Sequence, residues 1–223
     1  MVRVPGYRGH QTRAALARLN DEAGGVLPEA FFHYAAGQAI PDAQAPIRML
    51  GDGRVVRILG VGIEGIAMLY ANAAAVARLL FRAHPGTRPH WQLREGKFDV
   101  RSLPYRIPVR VRAMVAPLPA AVRPALIESR TRDPALIAAV EAALGHHIGR
   151  QIAWLAPDAA VPHIANLYIE LSVPVAVKAH RFWPALDVSF EVNARFVGPW
   201  QLGRLQARGY GRLGHWRRTA PNA

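Results

Sequence analysis

Residues 105–115 read YRIPVRVRAMV, and this stretch limits the fold more than any other. Arg106, Arg110 and Arg112 alternate with Ile107, Val109 and Val111. A period of two sends alternate side chains to opposite faces of a strand. One face then builds core, and the other presents guanidinium groups, either to an anionic ligand or to plain solvent. Residues 185–199, ALDVSFEVNARFVGP, repeat the pattern, with Val188, Phe190 and Val192 set against Ser189, Glu191 and Asn193. Between them lies a helical period. Asp133 is a good N-cap and Pro134 a good first helical residue. From there Leu136, Val140, Leu144, Ile148 and Ile152 form an i,i+4 stripe that carries a helix to about residue 155.

The remaining chain divides in the same manner. QTRAALARLN, 11–20, reads as a short helix, and VLPEAFFHYAAG, 26–37, as a second helical piece. RVVRILGVG, 54–62, reads as a buried strand, 64–83 as a helix, and 88–100 as a strand with its turn, an order that suggests a βαβ unit. NLYIELSVPVAVKAH, 166–180, reads as a strand with a proline kink, and YGRLGHW as a last short strand. The fold class is α/β (α+β), in two compact halves, 1–102 and 103–223, with no sequence repeat between them.

Charge narrows the function. The net charge is +13, from 26 arginines and two lysines, Lys97 and Lys178, against 15 acids. Both ends are basic: the first twenty residues carry four arginines and no acid, and no acid follows Glu191. Such a surplus points to a polyanion. Guanidinium grips phosphate bidentately and stacks on bases, so nucleic acid is favoured over a membrane surface. No run of 18 uncharged apolar residues and no signal-peptide core are present. The chain has no cysteine, hence no disulfide and no thiol nucleophile, which fits a cytoplasmic location. The acids are scattered, and His146 and His147, adjacent on a helix, read as structural, so no metal site and no cofactor are expected.

Near the C-terminus the chain reads LGRLQARGYGRLGHWRR, 202–218, with Gly203, Gly209 and Gly211 among Arg204, Arg208 and Arg212. Glycine lets backbone N–H groups approach a phosphate where a Cβ would obstruct, and the arginines add charge around that approach. The segment, with VNAR at 192–195, GPW at 198–200 and YIELSVPVAVKAH at 168–180, resembles the CRISPR repeat-cleaving endoribonucleases of the RAMP superfamily. It is most like the crRNA-processing endonuclease of type IV systems.

That resemblance implies two ferredoxin-like (RRM-like) domains, with a helical segment at 121–155 and a glycine-rich loop at 203–214. It implies metal-independent cleavage of precursor CRISPR RNA at the repeat stem-loop, by attack of the 2′-hydroxyl, with the hairpin product kept. Other subunits of a CRISPR ribonucleoprotein would be partners. By position, His33 and Tyr34 match the family's catalytic residues, with His10 next. Arginine serves some members instead, as a phosphate-charge stabiliser, and here Arg8, Arg13 and Arg48 qualify. RNA binding falls to Arg106, Arg110, Arg112, Arg130, Arg132, Lys178, Arg195, Gly203, Arg204, Arg208, Gly209, Gly211 and Arg212. Trp91, Trp183, Trp200 and Trp216 either stack on bases or fill core. A non-catalytic hairpin-binding subunit and an unrelated basic RNA-binding protein remain the alternatives.

Overall fold

The computed structural model describes residues 9–32, 34–35, 38–39, 45–51, 56–82, 95–128, 130–178 and 181–215. The chain forms two compact units. The first comprises residues 1–95 and Leu205–Tyr210; the second comprises Gly96–Arg204 and 211–223. The division expected at 102/103 would cut through a single 17-residue strand, Asp99–Val115, which lies wholly in the second unit.

In the first unit, helix α1 spans Gly9–Glu22. Thr12, Leu16 and Leu19 form its buried stripe. Its end is fixed by Asn20, whose side-chain oxygen accepts the Leu27 amide at 2.7 Å, and by Gly24 and Gly25 at positive φ. A 3₁₀ turn follows at Glu29–Phe32. Strands β1 (Tyr34–Ala35) and β2 (Gln38–Ala39) form a minimal antiparallel pair, so 26–37 is not one helix. Strands β3 (Ile47–Gly51) and β4 (Val56–Gly60) form an antiparallel hairpin, and helix α2 spans Gly62–Arg82. The expected βαβ unit is therefore replaced: β4 pairs with β3 just before it, and the strand from Asp99 serves the other unit. The core joins Leu16, Leu19, Leu27, Phe31, Ile47, Met49, Val76, Leu79 and Leu80. By length and composition α2 would pass for a membrane span. Its C-terminal half enters this core, while Ile63, Ile66 and Tyr70 stay exposed.

The second unit is a four-stranded antiparallel sheet in the order β6-β7-β5-β8. Its strands are β5 (Asp99–Val115), β6 (Ile164–Lys178), β7 (Arg181–Val197) and β8 (Arg212–His215). Helix α3 (Arg123–Ile127) and the 22-residue α4 (Pro134–Leu155) lie between β5 and β6 in sequence. Asp133 caps α4 as its spacing predicts, accepting the amides of Ala135 and Leu136 at 3.0 and 3.1 Å. The stripe from Leu136 to Ile152 is fully buried on Val109, Val111, Val188, Phe190 and Val192. Five such side chains contribute on the order of 10 kcal/mol of apolar burial, an upper bound against a compact unfolded chain. Alternation along β5 and β7 thus assigns one face to core. The opposite face carries Arg110, Arg112, Asp187, Ser189 and Arg195.

Candidate nucleic-acid interface

The glycine-rich segment is a hairpin with a rigid stem. Leu202 donates its amide to the Gly211 carbonyl at 2.8 Å, and Leu213 donates to Trp200 at 3.0 Å. Trp200 anchors the stem. It is buried, stands edge-on to Phe98 and Phe196, and donates its indole N–H to the Val197 carbonyl at 2.7 Å. It is a core residue, not a base-stacking one.

Two glycines are required by this packing. A Cβ at Gly203 would sit 2.6 Å from the Val115 carbonyl oxygen, and one at Gly211 would sit 1.7 Å from that of Leu202. Both residues have positive φ, +93° and +73°. Their first effect is to let the stem lie against β5, where Arg204 donates its amide to Val115 at 2.6 Å and Gly211 donates to Ala113 at 3.0 Å.

The hairpin tip, Leu205–Tyr210, belongs to the first unit. There the 3₁₀ turn Gln206–Arg208 packs on β3 and α1. Leu205, Gln206 and Ala207 are buried, with Leu205 held at φ 60° and Gly209 at 86°, while Arg208 keeps partial exposure. On α1, Arg13 donates a guanidinium N–H to the carbonyl of Phe32, the residue before His33. Arg13 is therefore tethered beside the 32–35 segment in the same unit as the tip.

The other catalytic candidates fare differently. His33 and Arg8 lie outside the described residues. His10 is in α1 and Tyr34 in β1, paired with Ala39; both are described by backbone alone. Arg48 sits in β3 with 0 % exposure. A guanidinium with no surface touches no phosphate unless its cover moves.

On the open sheet face, Arg106 and Arg112 are exposed as the alternation predicts. Arg110 is not an open cation: its NH2 group lies 2.6 Å from Glu170 and 3.0 Å from Asp187, and its side chain is 25 % exposed. Neither acid is legible as its partner in the sequence, because the pairing depends on strand register. Arg112 faces Arg212 across β5–β8, and Arg101 faces Arg195 across β5–β7. Arg101 is paired with Asp99 at 3.2 Å, so the second of these juxtapositions carries its own counter-charge. Arg130 is exposed but paired with Glu128 and Asp133, and Arg132 is exposed beside it. Lys178 ends β6 opposite Arg181, with its side chain undescribed. Trp91 and Trp216 lie outside the described residues, as does the Trp183 side chain.

On α4, His147 is half-buried, and its pKa is lowered to about 4, first by burial and then by His146, Arg150 and Arg204. It is neutral at pH 7 and supplies no charge to an anion there. Unfolded, it titrates near 6.5, so between pH 6.5 and 4 the unfolded chain holds more protons and stability falls as pH drops. Solvent screening at a half-exposed site reduces the effect to about 1–2 kcal/mol. His147→Gln is expected to remove that part of the acid sensitivity, read as a smaller loss of urea midpoint between pH 7 and pH 5. An unchanged loss would place the titration elsewhere. Among the described residues no three metal-ligating side chains cluster.

The model of the family described as type IV CRISPR-associated endonuclease Csf5 matches residues 5–216. Among solved structures, a Csf5 type IV Cas6 crRNA endonuclease superposes with a TM-score of 0.73 at 18% identity, covering 97% of each chain. A Cas6b structure gives 0.63 at 14% identity, over 96% of this chain and 94% of that one. A further structure, a Cas6b CRISPR RNA processing endoribonuclease, gives 0.51 at 14% identity, over 96% of both. No curated protein matches the sequence.

Proposed function

The chain belongs to the type IV CRISPR-associated endonuclease Csf5 family, a family of crRNA endonucleases with this mixed α/β fold, and from that premise we propose a metal-independent cut at the repeat stem-loop of precursor CRISPR RNA. The observation that carries the reading is the location of the hairpin tip. Arg208, on that tip, and Arg13, beside the 32–35 segment, lie in one compact unit.

The reaction needs no cofactor. The 2′-hydroxyl attacks the adjacent phosphorus in line, the P–O5′ bond breaks, and a 2′,3′-cyclic phosphate and a 5′-hydroxyl result. The 2′ proton passes to a base, and the 5′ oxygen takes one up. His33 is the candidate base, with Tyr34 beside it as a proton donor. Arg13 and Arg208 hold the pentavalent phosphate, since guanidinium pKa values exclude proton shuttling at neutral pH. Arg48 supports β3 from within. Exposed Arg106, Arg112, Arg132, Arg195 and Arg204, with Arg212 and Lys178, bind stem phosphates, as A-form RNA offers phosphates and 2′-hydroxyls rather than readable major-groove edges. Gly203, Gly209 and Gly211 shape the hairpin that brings this charge to the RNA. Arg110 and Arg130 are partly neutralised by their acids and contribute less. The hairpin product stays bound, and the exposed apolar edge of α2 at Ile63, Ile66 and Tyr70 suits other subunits of a ribonucleoprotein complex.

The test is cleavage of the repeat RNA of the chain's own CRISPR locus in excess EDTA. One sharp cut ending in a cyclic phosphate, at the rate seen with magnesium, is expected. Intact RNA under both conditions would leave a hairpin-binding subunit without catalysis. Cleavage that EDTA abolishes would overturn metal independence.

A further inference from the structure

The β5 strand changes register between Val111 and Met114. Val111 pairs with Val188 and Met114 with Leu186, so two residues, Arg112 and Ala113, oppose Asp187 alone. This is a β-bulge, and its second residue is strained: Ala113 has φ 52°, in the left-handed region that an L-alanine disfavours. Asp187 sits opposite and reaches into the bulge. Its Oδ1 accepts the Ala113 amide at 2.7 Å, while Oδ2 takes the Arg110 guanidinium at 3.0 Å. The same Arg110 nitrogen also lies 2.6 Å from Glu170, and Glu170 accepts the Ser189 hydroxyl at 2.6 Å. The carboxylate is thus fixed on both oxygens.

The bulge is the platform for the glycine hairpin. The Ala113 carbonyl receives the Gly211 amide, and the Val115 carbonyl receives the Arg204 amide. Both feet of the segment that carries the tip are bonded within two residues of the strained alanine. We propose that Asp187 is a positioning residue: by holding the Ala113 bulge it sets the two carbonyls that seat the hairpin stem, from whose ends the tip continues. The role of the tip in cleavage rests on the reading above; the staple itself does not.

The two oxygens separate a bulge-holding role from a charge-pairing one. Asp187→Asn keeps an acceptor for the Ala113 amide and loses the charge toward Arg110, which Glu170 still neutralises. Asp187→Ala loses both. In the alanine variant, amide exchange at Gly211 and Arg204 is expected to quicken about tenfold relative to Ile152 in α4, as for one lost hydrogen bond to a charged acceptor. Single-turnover cleavage of the repeat RNA should fall about tenfold, and Asn should bring both readouts back to within about twofold of the parent. Unchanged exchange in the alanine variant overturns the staple. Equal impairment in both variants also overturns it, since the charge toward Arg110 would then be what matters. Faster exchange with undiminished cleavage supports the staple and removes the tip from the RNA site instead. Should the alanine variant not fold, Asn alone carries the test, and a tenfold loss of Gly211 protection in it overturns the proposal.

Discussion

Gly211→Ala is expected to destabilise the chain by at least about 3 kcal/mol and to lose RNA cleavage with it. Two effects add. The residue sits at φ +73°, where a Cβ costs about 1–2 kcal/mol. That Cβ would also lie 1.7 Å from the Leu202 carbonyl oxygen, a backbone atom with no rotamer to yield. Relief requires the stem to open, which breaks the Leu202–Gly211 and Gly211–Ala113 hydrogen bonds together. Gly214→Ala is the matched control. An added Cβ there meets nothing within 4 Å, so its stability should stay within about 0.5 kcal/mol of the parent. Urea midpoints measure both. A Gly211→Ala protein within about 1 kcal/mol of the parent would mean that the stem is not closed at this point.

This expectation also shows where the sequence was legible. The Gly–Arg composition of 202–218 marks the segment, and a missing Cβ does permit close approach there. The approaching partner at Gly203 and Gly211 is the protein's own backbone, on β5 and at Leu202, so the glycines build the hairpin before they serve any ligand. Periodicity served well wherever one face was buried. The i,i+4 stripe of α4, its Asp133 cap and the alternation of β5 and β7 all appear in the structure. Short or register-dependent features were hidden. Five residues, IRMLG, with Arg48 second among them, show no alternation, so no pattern marks β3. The αL alanine at 113 leaves no trace in sequence because glycine and asparagine, the usual signals for that conformation, are absent there. The Glu170–Arg110–Asp187 cluster needs three strands in register, with its first and last residues 77 positions apart, and no local pattern encodes it.

Arg13→Ala is expected to lower single-turnover cleavage by about 10²–10³-fold while repeat RNA affinity changes much less. The charge surplus is large and spread over many exposed arginines, so removing one phosphate contact barely shifts binding. Charge on the transition state is different, because it grows at one phosphate and only a fixed donor can meet it there. Arg13 is such a donor. It lies at the margin of the buried Thr12–Leu16–Leu19 stripe of α1, partly exposed, with one N–H committed to the Phe32 carbonyl. That bond ties the guanidinium to the Phe32 backbone. Lysine has the charge without the planar fork, so Arg13→Lys should recover only a small part of the rate. His33→Ala separates the roles: a base lost at His33 flattens the acid limb of the pH–rate profile, whereas Arg13→Ala lowers the whole profile without moving its shape. Cleavage by Arg13→Ala at the parental rate would remove Arg13 from the phosphate and leave that charge to Arg208. A shared loss of rate and affinity would make Arg13 a binding residue, with its tether to Phe32 serving the fold of the 32–35 segment.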